Sequence, residues 1–511
     1  MGGLARSEQD LRKQLSDALE NLNALLALPS AERDAKAVSD AQQRVAKLRG
    51  DHDAAQRELA RRFPAYANLL NPPPANPADV RAVLAEDESF ISLYFGDAGS
   101  FAWALPKVGP MQFVKLDITP SGLDDIVTKL REALDPEAET VGDIPPFDVA
   151  LAYKLYELIL KPIEPSWKPS HNIVMTTNGA MGLLPLSVLP VGPAQPVPPS
   201  VPPAQADADA APPFSGYRAL PWLARSHAVT VVPSSTSLLA LRKSGAGAAP
   251  REKLIGFGDA IFSPEEMVTA EAPPRPADAG PTRGIALARH GAPAIADVGA
   301  QLARLPRLPE TAEELRSIAR ALGADPAKSL FLGKDANERK VKAANLANYR
   351  YIAFATHGLM ADDLEGLSQP ALALTAPKVA AIDGDGLLTM EEILSLKLNA
   401  DWVILSACNT AAGAGAGAEA ASGLARAFFY AGARALLVTN WSVQSDSARE
   451  LVTDTFRRLA ANPKLKRAEA LRQAMMALAD GPGSLDAQHK TQFSYAHPLF
   501  WAPYTLIGDG G

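Results

Sequence analysis

Apolar residues between positions 8 and 63 recur at helical spacing: Leu11, Leu15, Leu19, Leu22, Leu25 and Leu26, then Val45, Leu48 and Leu59. That period predicts helix, and the break at Leu28-Pro29-Ser30 divides it into two antiparallel helices, a hairpin. The hairpin reads as a brace on the next domain. An array that recruits partners would need about three repeats, and the chain has no internal period. After Pro72-Pro73-Pro74 the pattern shortens. Phe90–Phe95, Phe101–Leu105 and Gln112–Leu116 predict consecutive strands separated by Gly-containing turns. Leu123–Leu134 and Val149–Leu160 predict helices, and His171–Thr177 a buried strand followed by the turn residues Asn178-Gly179.

From Lys253 onward, strand and helix alternate. The strands are 253–258, 329–332, 351–356, 402–408, 435–439 and 503–508. The helices are 310–322, 337–344, 389–396, 421–431, 445–460 and 468–479. The first of these helices opens on acidic residues, as its dipole prefers. This alternation predicts an α/β fold, a mainly parallel sheet with helices on both faces. Two stretches, 190–214 and 272–298, are dominated by Pro, Ala and Gly or Val and read as mobile surface loops. A chain of 511 residues exceeds one core. The pattern divides it into a helical hairpin (1–75), a first α/β region without clustered polar groups (76–245) and a second one (246–511).

Composition narrows the function. A net charge of −7 offers no basic face for nucleic acid. A single cysteine excludes an internal disulfide framework and fits a reducing cytoplasm. No run reaches the roughly 18 apolar residues of a membrane span, and the first residues lack a signal-peptide core. The seven histidines are scattered and no CxxC occurs, so neither a metal mechanism nor a cofactor is expected.

Two apolar runs end on reactive residues. Trp402-Val403-Ile404-Leu405-Ser406-Ala407 leads to Cys408, the only thiol, and Tyr351-Ile352-Ala353-Phe354-Ala355-Thr356 leads to His357. Each alone reads as an ordinary buried side chain. However, each terminates its run rather than lying within it, and each precedes residues suited to irregular backbone: Gly358 after one, Asn409-Thr410 and Gly413 after the other. Carboxyl ends of parallel strands are where α/β proteins place chemistry. A thiol and an imidazole there make a nucleophile and its base. Backbone N–H groups of Gly358 and Cys408 are the natural oxyanion donors. Gly413–Gly417 lacks the Lys-Ser/Thr ending of a phosphate loop.

The motifs Phe354-Ala355-Thr356-His357-Gly358, Gly386-Leu387-Leu388-Thr389, Leu405-Ser406-Ala407-Cys408-Asn409-Thr410, Gly423-Leu424-Ala425-Arg426-Ala427-Phe428, Ala431-Gly432-Ala433-Arg434 and His497-Pro498-Leu499-Phe500-Trp501-Ala502 resemble, in this order, the CHAT domain. That domain belongs to the caspase-like cysteine peptidases, with separase, legumain and gingipain as relatives. The resemblance implies a caspase-like α/β/α sandwich in which an empty pseudo-caspase half precedes an active half. It also implies a catalytic dyad of His357 and Cys408. The pocket for the residue before the cut would be lined by Asn440, Trp441 and Ser442. Many members carry an acidic pair beyond that Trp, where this chain has Gln444-Ser445-Asp446, so a basic preference does not simply carry over. Asp362, Asp363, Asp383 and Asp385 are the alternative sources of negative charge at the cleft. His497, Phe500 and Trp501 read as packing residues. The implied function is a cytoplasmic cysteine endopeptidase that cuts a specific protein or peptide substrate and is activated by a partner protein, in bacterial antiviral defence by analogy. A non-enzymatic scaffold and a transpeptidase with the same dyad are the alternatives.

Overall fold

The computed structural model describes residues 2–27, 34–63, 75–136, 138, 140–193, 197, 211–243, 250–270, 301–360, 363–364, 367, 369–406 and 417–511. Helices α1 (Gly2–Ala27) and α2 (Ala35–Arg62) form the hairpin. Ala18, Val45 and Leu48 bury between them, and Glu8 reaches across to His52 Nε2 at 3.0 Å. Leu59 is buried in a core shared with the second half of the molecule. Helix α3 (Pro77–Val83) follows, its start capped by the Asn76 side chain accepting from Ala78 N.

The first half then builds β1 (Glu88–Gly96), β2 (Gly99–Pro106), β3 (Gln112–Leu116), α4 (Pro120–Arg131), α5 (Val149–Ile159), β4 (Asn172–Thr176), β5 (Ala228–Val231) and α6 (Ser235–Lys243). The second half contains β6 (Glu252–Gly258), α7 (Glu310–Leu322), β7 (Leu330–Leu332), α8 (Glu338–Ala343), β8 (Tyr349–Ala355), β9 (Gly358–Leu359), β10 (Ala371–Ala373) and β11 (Leu387–Thr389). It continues with α9 (Met390–Ser395), β12 (Trp402–Leu405), α10 (Gly417–Ala431), β13 (Ala435–Thr439), α11 (Ser445–Ala461), α12 (Arg467–Asp480), β14 (Ser484–Leu485), β15 (Thr491–Phe493) and β16 (Tyr504–Gly508).

Among the described residues, a sheet of eleven strands runs through both halves in the order β3-β2-β1-β4-β5-β16-β13-β12-β8-β6-β7. The strands β1, β4 and β5 are mutually parallel, as are β13, β12, β8, β6 and β7. The hairpin strands β2 and β3 run antiparallel to their neighbours, and the closing strand β16 is antiparallel to β13 but parallel to β5. The halves meet between β5 and β16, through one bridged pair, Val231 with Ile507.

Side chains alternate between two cores. Trp402, Ile404, Leu437 and Leu506 pack with Leu451, Phe456 and Leu471 of α11 and α12. Val403, Leu405, Leu436 and Val438 pack with Ile393 of α9 and Phe428 of α10. Both faces are covered, which is why these strands read as unbroken apolar runs. Each buried Leu, Ile or Val contributes about 1.5–3 kcal/mol. Helix α10 ends where Gly432 adopts φ +115°, a position where a Cβ would run into the Leu398 carbonyl. This is the α/β/α sandwich anticipated above.

At the amino ends of the central strands, Asp401 gathers three arginines: Arg251 at 2.9 Å, Arg350 at 2.8 Å and Arg434 at 2.5 Å. Burial pushes the Asp401 carboxyl up, but hydrogen bonds and charge from these arginines outweigh it and hold it below its ordinary range.

Two expectations need correction. The stretch 190–214 is not a free loop at its ends. Val191 N bonds the Pro221 carbonyl and Phe214 is buried against His497, because the apolar residues there have core positions to fill. The middle of that stretch, 198–210, and the whole of 272–298 lie outside the described residues. The short sheet β11-β10-β9 was not anticipated, since strands of two or three residues carry no measurable period. No helix among the described residues is long and apolar enough to cross a membrane.

Candidate active site

Strands β8 and β12 are parallel neighbours with Phe354 paired to Leu405, and the ladder continues as Ser406 N donates to the Phe354 carbonyl at 3.0 Å. In sequence, His357 and Cys408 each stand three residues beyond that Phe354–Leu405 rung. Cys408 itself lies outside the described residues, as does Asp362.

His357 is buried, with Nε2 2.7 Å from the Pro306 carbonyl. A carbonyl only accepts, so Nε2 carries the proton and the lone pair of the neutral ring is on Nδ1. The ring packs on Phe262, with centroids 5.5 Å apart. Its backbone is fixed from the small sheet: Ala373 N donates to the His357 carbonyl at 2.9 Å, and Gly358 pairs with Leu372. Next to Pro306, the Arg307 guanidinium makes a two-pronged contact with Asp259, Nε to Oδ1 at 2.7 Å and Nη2 to Oδ2 at 2.8 Å. Burial raises the Asp259 carboxyl against the pull of Arg307. Sequence reading missed Pro306, Arg307 and Asp259. Asp259 directly after the Gly258 exit of β6 was the one available signal, because that strand ends beside β8.

The segment after β13 behaves differently from its expected role. Asn440 and Trp441 are buried. The Asn440 amide donates to the Pro503 carbonyl at 2.9 Å and to Thr505 Oγ1 at 2.8 Å, and Trp441 Nε1 donates to the Leu499 carbonyl at 3.1 Å. The Asn440 side chain secures the closing strand β16, which pairs directly with β13, and that of Trp441 the turn before it. The main chain of this segment is held from the first half. Arg131 Nη1 donates to the carbonyls of Asn440 at 3.1 Å and Leu183 at 2.8 Å, Arg131 Nη2 reaches Asp135 at 3.3 Å, and Ser442 N donates to Asp135 at 3.2 Å. Leu183 follows β4 and Asn440 follows β13, so Arg131 ties the carboxyl ends of the two halves together. A cleft of about 860 Å³ runs between the halves, lined by Arg131, Asn440, Arg426, Tyr504, Met175 and Val231 among others.

Asp383 is exposed beside Glu338, Arg339 and Lys342 of α8, away from that cleft. Its turn, between the positive-φ residues Ala381 and Gly384, directs it outward. Asp363 stays nearer the histidine and accepts from Met360 N at 2.7 Å just after β9. His497 is fully buried, accepts from Leu499 N at 3.2 Å and is boxed by Phe147, Phe214, Tyr217 and Phe500. This is the packing role read from its motif. Burial pushes its imidazole down to about 3. Among the described residues, no three His, Cys, Asp or Glu side chains cluster closely enough to hold a metal ion.

No curated protein sequence matches this chain. Among solved structures it is similar to Saccharomyces cerevisiae separase in its complex with securin, with TM-score 0.42 and 11% identity over 98% of this chain and 37% of the separase chain. It is also similar to the Arg-specific cysteine proteinase gingipain R, with TM-score 0.36 and 9% identity over 83% of this chain and 78% of that one. The chain therefore spans little more than a third of the separase chain's length. A match to the CHAT domain extends over residues 149–509, well over half of the sequence, and the protein belongs to the CHAT domain family.

Proposed function

We propose that the protein is a cysteine endopeptidase in which Cys408 is the nucleophile and His357 the base. The observation that carries this reading is the bond from His357 Nε2–H to the Pro306 carbonyl. It puts the lone pair of the neutral ring on Nδ1, at the end of the strand next to the one that leads to the only thiol. Nδ1 takes the Cys408 proton as sulfur attacks the scissile carbonyl, and the oxyanion is met by the N–H groups of Gly358 and Cys408. The imidazolium, still bonded to Pro306, returns the proton to the leaving amine as the C–N bond breaks. Water then cleaves the thioester. The substrate is a protein or peptide that lies along the main chain of Asn440–Ser442, and a partner protein supplies the activating signal in a bacterial cytoplasm, in a defence role.

The test is a peptidyl acyloxymethyl ketone panel with mass spectrometry of the intact chain. One adduct at Cys408, absent from His357→Ala, is the expected result. Failure of every peptide to label Cys408, with and without candidate activators, overturns the reading in favour of a scaffold.

A further inference from the structure

We propose that Asp259 and Arg307 are positioning residues for His357, acting through the Pro306 carbonyl. The proposal rests on His357 being the base. Strand β6 ends beside β8, with Gly258 paired to Ala355, so Asp259 stands at the same sheet edge as the histidine. Asp259 is one of four described non-glycine residues with positive φ, at +54°, a backbone conformation that is costly for an L-residue and persists where its surroundings enforce it. Here they do: Asp259 N donates to Thr311 Oγ1 at 2.8 Å, and that hydroxyl donates to the Leu308 carbonyl at 2.6 Å. The turn aims the carboxylate at Arg307, which it grips through both oxygens.

The coupling to His357 follows from peptide geometry. The Pro306 carbonyl and the Arg307 N–H belong to one planar trans unit, so they point in opposite directions. Arg307 N donates to Glu266 Oε1 at 2.8 Å. With the N–H held there and the guanidinium held on Asp259, the carbonyl on the other side of the unit faces His357 Nε2. Release of Arg307 lets this peptide plane turn. The ring then loses the acceptor that keeps its proton on Nε2 and its lone pair on Nδ1.

The experiment measures inactivation of the full-length chain by a peptidyl acyloxymethyl ketone, separating the maximal rate from the half-saturating concentration across pH. Arg307→Met and Asp259→Gly are expected to lower the maximal rate about 10–100-fold and shift its pH midpoint, with half-saturation changed by less than about twofold. Arg307→Lys recovers little, because an ammonium lacks the two-pronged fork. Asp259→Gly is the discriminating variant. It relieves the positive-φ strain while removing the partner of Arg307, so a merely structural role predicts a rate that falls only as far as stability does, with an unchanged pH midpoint. Wild-type rate and pH midpoint in Asp259→Gly, or a rate loss that only tracks the unfolded fraction, overturns the proposal. Imidazole ¹⁵N spectra of His357 provide a readout independent of catalysis. A pure Nε2–H tautomer in the wild type and a mixture in Arg307→Met uphold the positioning role even if no peptide ever labels Cys408, and an unchanged tautomer overturns it.

Discussion

At the amino end of β1, in the first half, the buried Glu88 carboxylate is paired with Arg242 at 2.5 and 2.9 Å. At the amino end of β12, in the second half, the buried Asp401 holds three arginines. The two halves handle this edge in the same way, with a charge taken out of water only where guanidinium groups replace the lost solvation. At the opposite edge they diverge. Strand β4 is followed by Asn178, whose amide is spent on one residue of β1, accepting from Phe95 N at 2.8 Å and donating to the Phe95 carbonyl at 2.7 Å. Strand β8 is followed by His357, held by a carbonyl delivered from a distant loop. A carboxamide is neither an acid nor a base near neutral pH, whereas an imidazole can be either. One architecture thus ties a strand end back onto its own sheet in the first half and holds an imidazole there in the second, and the difference lies in what the loops bring to the edge.

The sharpest way to break this contrast is to exchange the fates of the two strand ends. Cys408→Ala or His357→Ala is expected to lower labelling and peptide cleavage by at least about 10³-fold. Asn178→Ala should leave the labelling rate unchanged and cost about 1–2 kcal/mol in urea unfolding, from the unpaired Phe95 backbone. Equal activity loss from Asn178→Ala would mean that the first half is not catalytically silent.

The likeness of the amino edges is tested by Asp401→Ala. It strands three arginines and should cost about 3–5 kcal/mol by denaturant unfolding. Asp401 is held below its ordinary range in the folded state. Its contribution is therefore complete above the unfolded value of about 4 and is lost as pH falls through the lower folded value. Asp401→Asn should flatten the acid limb of the stability curve.

His497 sharpens the comparison between a histidine boxed in by aromatic rings and the one at the end of β8. Its folded value of about 3 lies below the unfolded one, so the neutral ring stabilises the fold fully at neutral pH and progressively less as pH falls. The wild type should lose about 2 kcal/mol between pH 6.5 and 5 through this group. His497→Phe should remove that slope at the cost of about 1 kcal/mol for the lost cap to Leu499 N. Thermal unfolding at both pH values is the measurement.

The smallest expected effect concerns the tie between the halves. Arg131→Met frees the carbonyls of Asn440 and Leu183 and should speed amide exchange across residues 439–443, with half-saturation by a peptidyl probe rising about tenfold, a 1.4 kcal/mol change. Unchanged exchange there would show that the first half does not brace the segment after β13.

Much of this protein was set by its sequence alone. Helix α7 occupies the predicted 310–322, and β13 the predicted 435–439, because an apolar stripe and an unbroken apolar run are local signals whose ends are marked by Gly323 and by polar Asn440. The same locality placed His357 and Cys408 at the ends of two runs, and tertiary pairing then made the strands that carry those runs neighbours in matching register. Tertiary structure alone decided the rest. It turned Asn440 and Trp441 inward, sent Asp383 to the surface of α8, and brought Pro306, Arg307 and Asp259 to the histidine and Arg131 to the opposite half. These contacts join residues 48 to 309 positions apart through single hydrogen bonds and ion pairs. Such contacts impose no periodicity on the chain and become determined only when the sheet brings its edges together.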